Sequence, residues 1–208
     1  MRLESLNDES IPDCVTCLMN RYDPDPRHAR QVSRIALLLY DNLEGLHGFS
    51  REERSLLMYA ALLHDTGWSV TGRPHHKGSM DIILSDTTIP LSTPDRLKVA
   101  LIARYHRKSS PSPSHKKFMS LSARDQAIIR WAAAVLRTAD ALDRAHQSIV
   151  RDLTLEISEK TLLIQCISDR CVDETFPVSP EVFMSKTTLL SEITGREVTL
   201  IWKYRGQM

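Results

Sequence analysis

The chain has 208 residues, 42% of them hydrophobic, enough for one well-filled core and a small appendage, since single domains commonly run to roughly 100–200 residues. Its 27 basic and 26 acidic side chains nearly cancel, so no overall field draws it to nucleic acid or to an anionic membrane, and any anion site is local. No stretch reaches the roughly 18 apolar residues of a membrane span, and Met1-Arg2-Leu3-Glu4 carries no signal-peptide apolar region, which points to a cytoplasmic protein.

Cys14 and Cys17 form a Cys-x-x-Cys, but Pro12-Asp13 ahead of them reads as a helix start without Gly-rich turns, and Cys166 and Cys171 are spaced more widely. Reduced, half-buried thiols are expected. From Arg27 to about Leu43 the residues Val32, Ile35, Ala36, Leu39 and Leu43 recur at helical spacing, with His28 four residues ahead of Val32 on the same face. Asp23-Pro24-Asp25-Pro26 supplies the start signal. Ser50 with Glu53 matches a capping box for a second helix, which runs through Leu56 to Leu63 into His64-Asp65, with Gly67 as its stop. A loop rich in Gly, Pro and His (Thr71 to Ser79) leads to a short helix around Met80 to Leu84. Thr93-Pro94-Asp95 opens a helix carrying Leu97, Leu101 and Ile102 and ending in Arg104-Tyr105-His106-Arg107-Lys108. Ser109 to Ser120 reads as an exposed loop, and Ser122 with Asp125 opens a long helix whose stripe Ile129, Ala132, Ala133 and Leu136 points at Asp140. Beyond Ile149 the period changes to two: Leu153, Leu155 and Ile157, a Ser158-Glu159-Lys160 turn, then Leu163 to Ile167. A helix from Ser179 or Pro180 to about Ile193, ended by Gly195, and a strand Val198 to Lys203 follow. The reading is mainly α: a helical domain over 1–148 with a small β-β-α-β attachment over 149–208.

Histidines and acids on the apolar helical faces are His28, His64, Asp65, His106 and Asp140, with His75 and His76 in the loop between. One histidine on an apolar face is most often a satisfied core residue. An acid at the end of an apolar stripe, as Asp140 is, needs a cation or several donors. Helices that each begin or end in such residues therefore point to a metal cluster, and imidazole mixed with carboxylate suits Mn, Fe, Zn, Ni or Co, or Mg where fewer histidines bind.

The order His28, His64-Asp65, Asp140 resembles the pattern of the HD superfamily of metal-dependent phosphohydrolases. Ala60-Ala61-Leu62-Leu63-His64-Asp65-Thr66-Gly67, His75-His76-Lys77-Gly78-Ser79, Ala103-Arg104-Tyr105-His106-Arg107-Lys108 and Thr138-Ala139-Asp140-Ala141-Leu142-Asp143-Arg144 together look like the C-terminal HD-type domain of the exopolyphosphatase and guanosine pentaphosphate phosphatase family. That family carries polyphosphate hydrolysis on an N-terminal actin-like ATPase-fold pair of domains with no counterpart in these residues. The expectation is accordingly an HD-type helical bundle that keeps its own metal site, and not a transfer of exopolyphosphatase activity.

The resemblance implies His28, His64, Asp65 and Asp140 as ligands of one divalent ion, with His76 (His75 as second choice) and His106 holding a second. Asp65 suits a bridge, because a carboxylate offers one oxygen to each of two ions. Lys77, Arg104, Arg107, Lys108 and Arg144 lie within a few residues of proposed ligands and are candidates to neutralise phosphoryl oxygens. Trp68 stands where many HD enzymes carry a lysine. Asp143 and His146 fall about one turn beyond Asp140, close enough to be partners that orient a ligand from behind, although solvated surface is the expectation, and nothing is assigned to His47 or His115. The leading function is a metal-dependent phosphohydrolase acting on a phosphorylated small molecule, a nucleotide or polyphosphate, with no membrane or specific nucleic-acid partner. Two alternatives are a non-catalytic polyphosphate- or nucleotide-binding regulatory module and a structural helical domain with vestigial histidines. Exposed strand edges in the attachment make a homodimer plausible.

Overall fold

A computed structural model describes residues 11–172 and 177–207. Met1–Glu4, the segment that bears on a signal peptide, lies outside the described residues. Nine helices and three strands follow in order among the described residues: α1 (Asp13–Tyr22), α2 (Pro26–Asn42), α3 (Glu44–His47), α4 (Arg51–Leu63), α5 (His75–Ser85), α6 (Thr93–Arg104), α7 (Lys116–Met119), α8 (Ala123–Leu142), β1 (Val150–Ile157), β2 (Thr161–Ser168), α9 (Pro180–Thr194) and β3 (Glu197–Tyr204). No helix among these residues is long and apolar enough to cross a membrane.

The local signals act as their chemistry requires. Asp25 accepts a hydrogen bond from the His28 amide and Pro26 occupies the first turn of α2, so His28 is fixed at the entry of the most buried helix. Val32, Ile35, Ala36, Leu39 and Leu43 are fully buried. Helices α2 and α6 each pack against both α4 and α8, which makes a four-helix core. Runs of small residues such as Ala132-Ala133-Ala134 on α8 let the backbones approach closely.

Two expectations change. The short helix begins at His75 and not at Met80, because Pro74 starts it, so His75 and His76 belong to a first helical turn instead of a loop. Within the supposed exposed loop 109–120, α7 forms and Phe118 is buried against the core, as an aromatic ring of that size demands. The four cysteines are free thiols, Cys166 buried and Cys17 and Cys171 exposed.

The C-terminal sheet has the order β1-β2-β3, with β1 antiparallel to β2 and β2 parallel to β3, so α9 is the crossover. Ser158 closes the β1–β2 turn through its amide to the Thr161 carbonyl. Leu162, Ile164 and Cys166 are buried, alternating with more exposed neighbours, and pair with Val198, Leu200 and Trp202 of β3. The sheet is not an isolated appendage: β1 packs on α2, α9 packs on α8, and the Gln31 amide donates to the Val150 carbonyl at 2.8 Å. A groove of about 710 Å³ opens between α9 and β3, lined by Phe183, Met184, Thr187, Val198 and Trp202.

The α4 capping box forms in full: the Glu52 amide donates to Ser50 Oγ, the Ser50 amide donates to Glu53 Oε2 at 2.8 Å, and Arg124 from α8 donates to Glu53 Oε1 at 2.8 Å. Burial alone would raise the Glu53 pKa, but Ser50 and Arg124 outweigh it and bring it to about 2. A depressed folded-state pKa stabilises above the unfolded value near 4.3 and the contribution is lost as pH falls through about 2. Glu53→Gln is therefore expected to cost about 1 kcal/mol at pH 7, with the difference from wild type shrinking as pH drops from 5 towards 2. Urea unfolding midpoints across that range check it.

Candidate metal centre

Six side chains from five segments meet at one end of the helical core. His28 comes from the first turn of α2, His64 and Asp65 from the end of α4, His75 from the first turn of α5, His106 from just past α6, and Asp140 from the last turns of α8. His28, His64 and Asp65 offer ligand atoms within 4.8 Å of one another, and so do Asp65, His75 and His106. Asp65 is the shared member: its Oδ2 lies 3.5 Å from His64 Nε2, and its Oδ1 lies 3.6 Å from both His75 Nε2 and His106 Nε2. Asp140 Oδ1 closes the first half, 3.6 Å from His28 Nε2 and 4.0 Å from His64 Nε2.

Each ring is locked by what its other nitrogen does. His64 Nδ1 donates to the Ala61 carbonyl and His106 Nδ1 to the Ala103 carbonyl, both at 2.7 Å. The same device at two helix ends satisfies a carbonyl left over by the ladder and turns a bare Nε2 inward. His28 Nδ1 donates to Asp143 Oδ2 at 2.8 Å, and Asp143 Oδ1 accepts the Ser148 amide at 2.7 Å. Asp143 is thus almost fully buried and not the solvated residue that its place in the sequence suggests; the positive φ of Ser148 (51°) folds the chain back to reach it. His146 stacks on His28 with centroids 3.7 Å apart and reaches Asp25 Oδ2.

Burial lowers the proton affinity of the second group of rings, His106 to about 3 and His75 in the same direction, so both are neutral at pH 7. At His28 burial also pulls down, but hydrogen bonds and charge from Asp140 and Asp143 prevail and raise it to about 10. Burial would raise Asp140 and Asp65, yet His28 and Lys186 around the one, and His64 and His106 around the other, hold both as carboxylates. Helix dipoles contribute little net field, because α4, α6 and α8 bring C-terminal ends while α2 and α5 bring N-terminal ends. The attraction for a cation resides in the carboxylates.

His28 Nε2 and His64 Nε2 are buried and have no hydrogen-bond partner among the described residues. Imidazole nitrogens aimed at two carboxylates form a donor set of the kind that holds a first-row divalent ion, which would displace the proton that His28 otherwise keeps. The geometry brings in His75 and leaves His76 outside both groups of ligand atoms; His76 is buried behind His75, with burial and then Arg104 lowering its pKa to about 4. Helical phase decides between them once the helix starts at His75. Among the basic candidates, Arg107 bears electrostatically on His75, while Arg104, Lys77 and Arg107 all bear on His76. Lys108 and Arg144 are exposed. Trp68, 55% exposed, stacks on the His75 ring at 4.2 Å and fixes its plane. His47 accepts from the Phe49 amide and meets the Tyr40 carbonyl, and His115 meets the Tyr105 hydroxyl, away from the cluster.

Residues 12–172 match the Ppx/GppA phosphatase family, domain III. The chain belongs to that family. The match covers α1 through β2 and every member of the cluster, and stops ahead of α9. No curated protein matches this domain III chain.

Three residues of the site carried no functional reading in the sequence. Asp23, between α1 and α2, is buried with Oδ2 unpartnered among the described residues, and burial raises its pKa. Arg137 on α8 donates to the Tyr105 carbonyl at 3.1 Å and so holds the chain beside His106. Lys186 on α9 pairs with Asp140 Oδ2. A visible signal existed for Lys186, since it sits on the same stripe as the buried Phe183, Thr187 and Leu190.

Gly67 does not end α4 by a left-handed turn; it lies in a 3-10 turn, Thr66–Ser69, pressed against the start of α5. A Cβ there would lie 1.9 Å from the His75 carbonyl oxygen and 2.3 Å from the Ser79 amide nitrogen. Ser79 Oγ fastens this contact, donating to the His64 carbonyl and accepting the Gly67 amide. Gly67→Ala is expected to cost about 3 kcal/mol or more in urea unfolding, whereas Gly45→Ala, whose Cβ meets nothing within 4 Å, is expected to be neutral or mildly stabilising.

Proposed function

We propose that this domain is an HD-type, metal-dependent phosphohydrolase cleaving a phosphate ester or anhydride of a nucleotide or polyphosphate-like molecule. Membership of a phosphatase family supports hydrolysis of phosphate, and the observation that carries the metal is the pair of buried, unpartnered nitrogens His28 Nε2 and His64 Nε2 facing carboxylates. Leaving two such ring nitrogens buried and unpaired would cost about 1–3 kcal/mol each. In this reading His28, His64, Asp65 and Asp140 hold one divalent ion (Mn, Fe, Mg, Ni, Co or Zn), and Asp65, His75 and His106 hold a second.

Divalent ions, when bound, supply water of lowered pKa and Lewis acidity toward phosphoryl oxygens. The chain's own part is to fix the donors and bind the substrate. Asp143 keeps His28 turned by its Nδ1, the Ala61 and Ala103 carbonyls do the same for His64 and His106, and Trp68 holds His75. Arg104, Arg107 and Lys77, on the His75–His76 side, supply positive charge for the phosphate oxygens of substrate and leaving group. Lys108 and Arg144 serve as outer, solvent-facing cations. The second reading, a polyphosphate- or nucleotide-binding regulatory module, draws on the match being to one domain of a larger architecture; it predicts metal and phosphate binding without turnover.

Metal analysis of the purified chain is expected to find one or two divalent ions, and chelation to lower the melting temperature. Release of phosphate from a panel of esters and anhydrides with Mn, Mg, Ni or Co is expected, falling at least about 100-fold in Asp65→Ala. Hydrolysis surviving in Asp65→Ala, or a chain without metal whose stability ignores chelators, would remove the proposal; metal and phosphate binding with no turnover on any compound would select the regulatory reading. Asp143→Asn keeps the shape but weakens the hold on His28, and is expected to lower metal affinity about 10- to 100-fold in calorimetric titration.

A further inference from the structure

We propose that Lys186 is the phosphoryl-binding cation of the Asp140 half of the site, which makes the C-terminal β-α-β unit part of the active site and not an accessory to it. The inference rests on the phosphohydrolase reading above. Lys186 projects from α9 on the stripe that carries Phe183, Thr187 and Leu190 into the interface with α8. An aliphatic residue would satisfy that position, and an ammonium buried there is costly unless it is paired. Its Nζ is paired with Asp140 Oδ2, both side chains being only 12–13% exposed. The other oxygen of the same carboxylate faces His28 Nε2 and His64 Nε2. The ammonium is therefore held one carboxylate's width from the donor atoms of the His28/His64 half, whereas Arg104, Arg107 and Lys77 bear on His75 and His76.

A phosphoryl group bound to a divalent ion that the His28/His64/Asp140 donors would hold has two cationic banks for its remaining oxygens, Lys186 as the inner one beside Asp140 and Arg104, Arg107 and Lys77 as the other. A lysine suits the inner bank: a compact charge on a flexible stem, with three donors, can keep one hydrogen bond to Asp140 and give another to phosphate. No proton leaves the ammonium and no bond is made or broken on it, so its role is binding and charge neutralisation.

The test uses the full chain loaded with Mn²⁺ and inorganic phosphate as the probe. Lys186→Met, which keeps the stem, is expected to load Mn²⁺ to the same stoichiometry and to lose phosphate affinity about tenfold or more, while Lys186→Arg retains it within about threefold. With a substrate from the panel, KM is expected to rise in Lys186→Met and to recover in Lys186→Arg. Unchanged phosphate affinity in Mn²⁺-loaded Lys186→Met, whatever its melting temperature, overturns the assignment and leaves Lys186 as a clamp between α8 and α9. Should Lys186→Met not fold, the same titration on Lys186→Gln decides. Wild-type protein that loads Mn²⁺ but binds no phosphate overturns the phosphohydrolase reading together with this one, so the two failures are distinguishable.

Discussion

Two imidazole nitrogens without a hydrogen-bond partner among the described residues, buried between carboxylates at the end of a helical core, are the constraint around which this molecule is organised. A core of Leu, Ile, Val and Ala can be filled in many ways, and swaps of similar volume are tolerated at small cost. Imidazoles and carboxylates facing one another in the dry interior are different, because they need each neighbouring ring held at one angle. Much of the polar detail serves this: the Nδ1 bonds of His28, His64 and His106, the Ser79 hydroxyl between two backbone segments, and Arg137 on the Tyr105 carbonyl. These bonds hold the donor atoms together, several of them by tying one helix directly to the next.

The arrangement also explains where the backbone is most constrained. Asp65 can face both groups of donors only if α5 starts immediately beside the 3-10 turn that follows α4, and that contact leaves no room for a side chain at position 67. The arrival of His75 and the size of Gly67 are one requirement. On the other side, Asp143 can orient His28 only because the chain reverses after α8, with His146 and Ser148 both at positive φ. Backbone strain of this kind persists where surrounding contacts over-determine it, and here Asp143 and the stacked His146 supply them.

Much of this was legible from residue order alone. The Ser50–Glu53 capping box, the α8 stripe aimed at Asp140 and the change of period after Ile149 each follow from local rules, and they placed His28, His64, Asp65, His106 and Asp140 at element ends. What was not legible depended on phase or on distant partners. Whether His75 or His76 faces Asp65 turns on one residue of helical register, set by Pro74. Asp143 looked solvated because its partner, His28, is more than a hundred residues away in the chain. Lys186 could not be connected to Asp140 by any local pattern, since that contact exists only once α9 lies on α8.

The parallel pairing of β2 with β3 has a consequence for biosynthesis. As the chain leaves the ribosome, β1 and β2 can zip into a hairpin at once, but the far edge of β2 stays open until α9 and then β3 have emerged and crossed over. During that interval Leu162 and Ile164 lack their β3 neighbours, and the nascent hairpin is a template for pairing with another copy. Chaperone dependence in the cell should therefore concentrate on the interval between the emergence of β2 and that of β3.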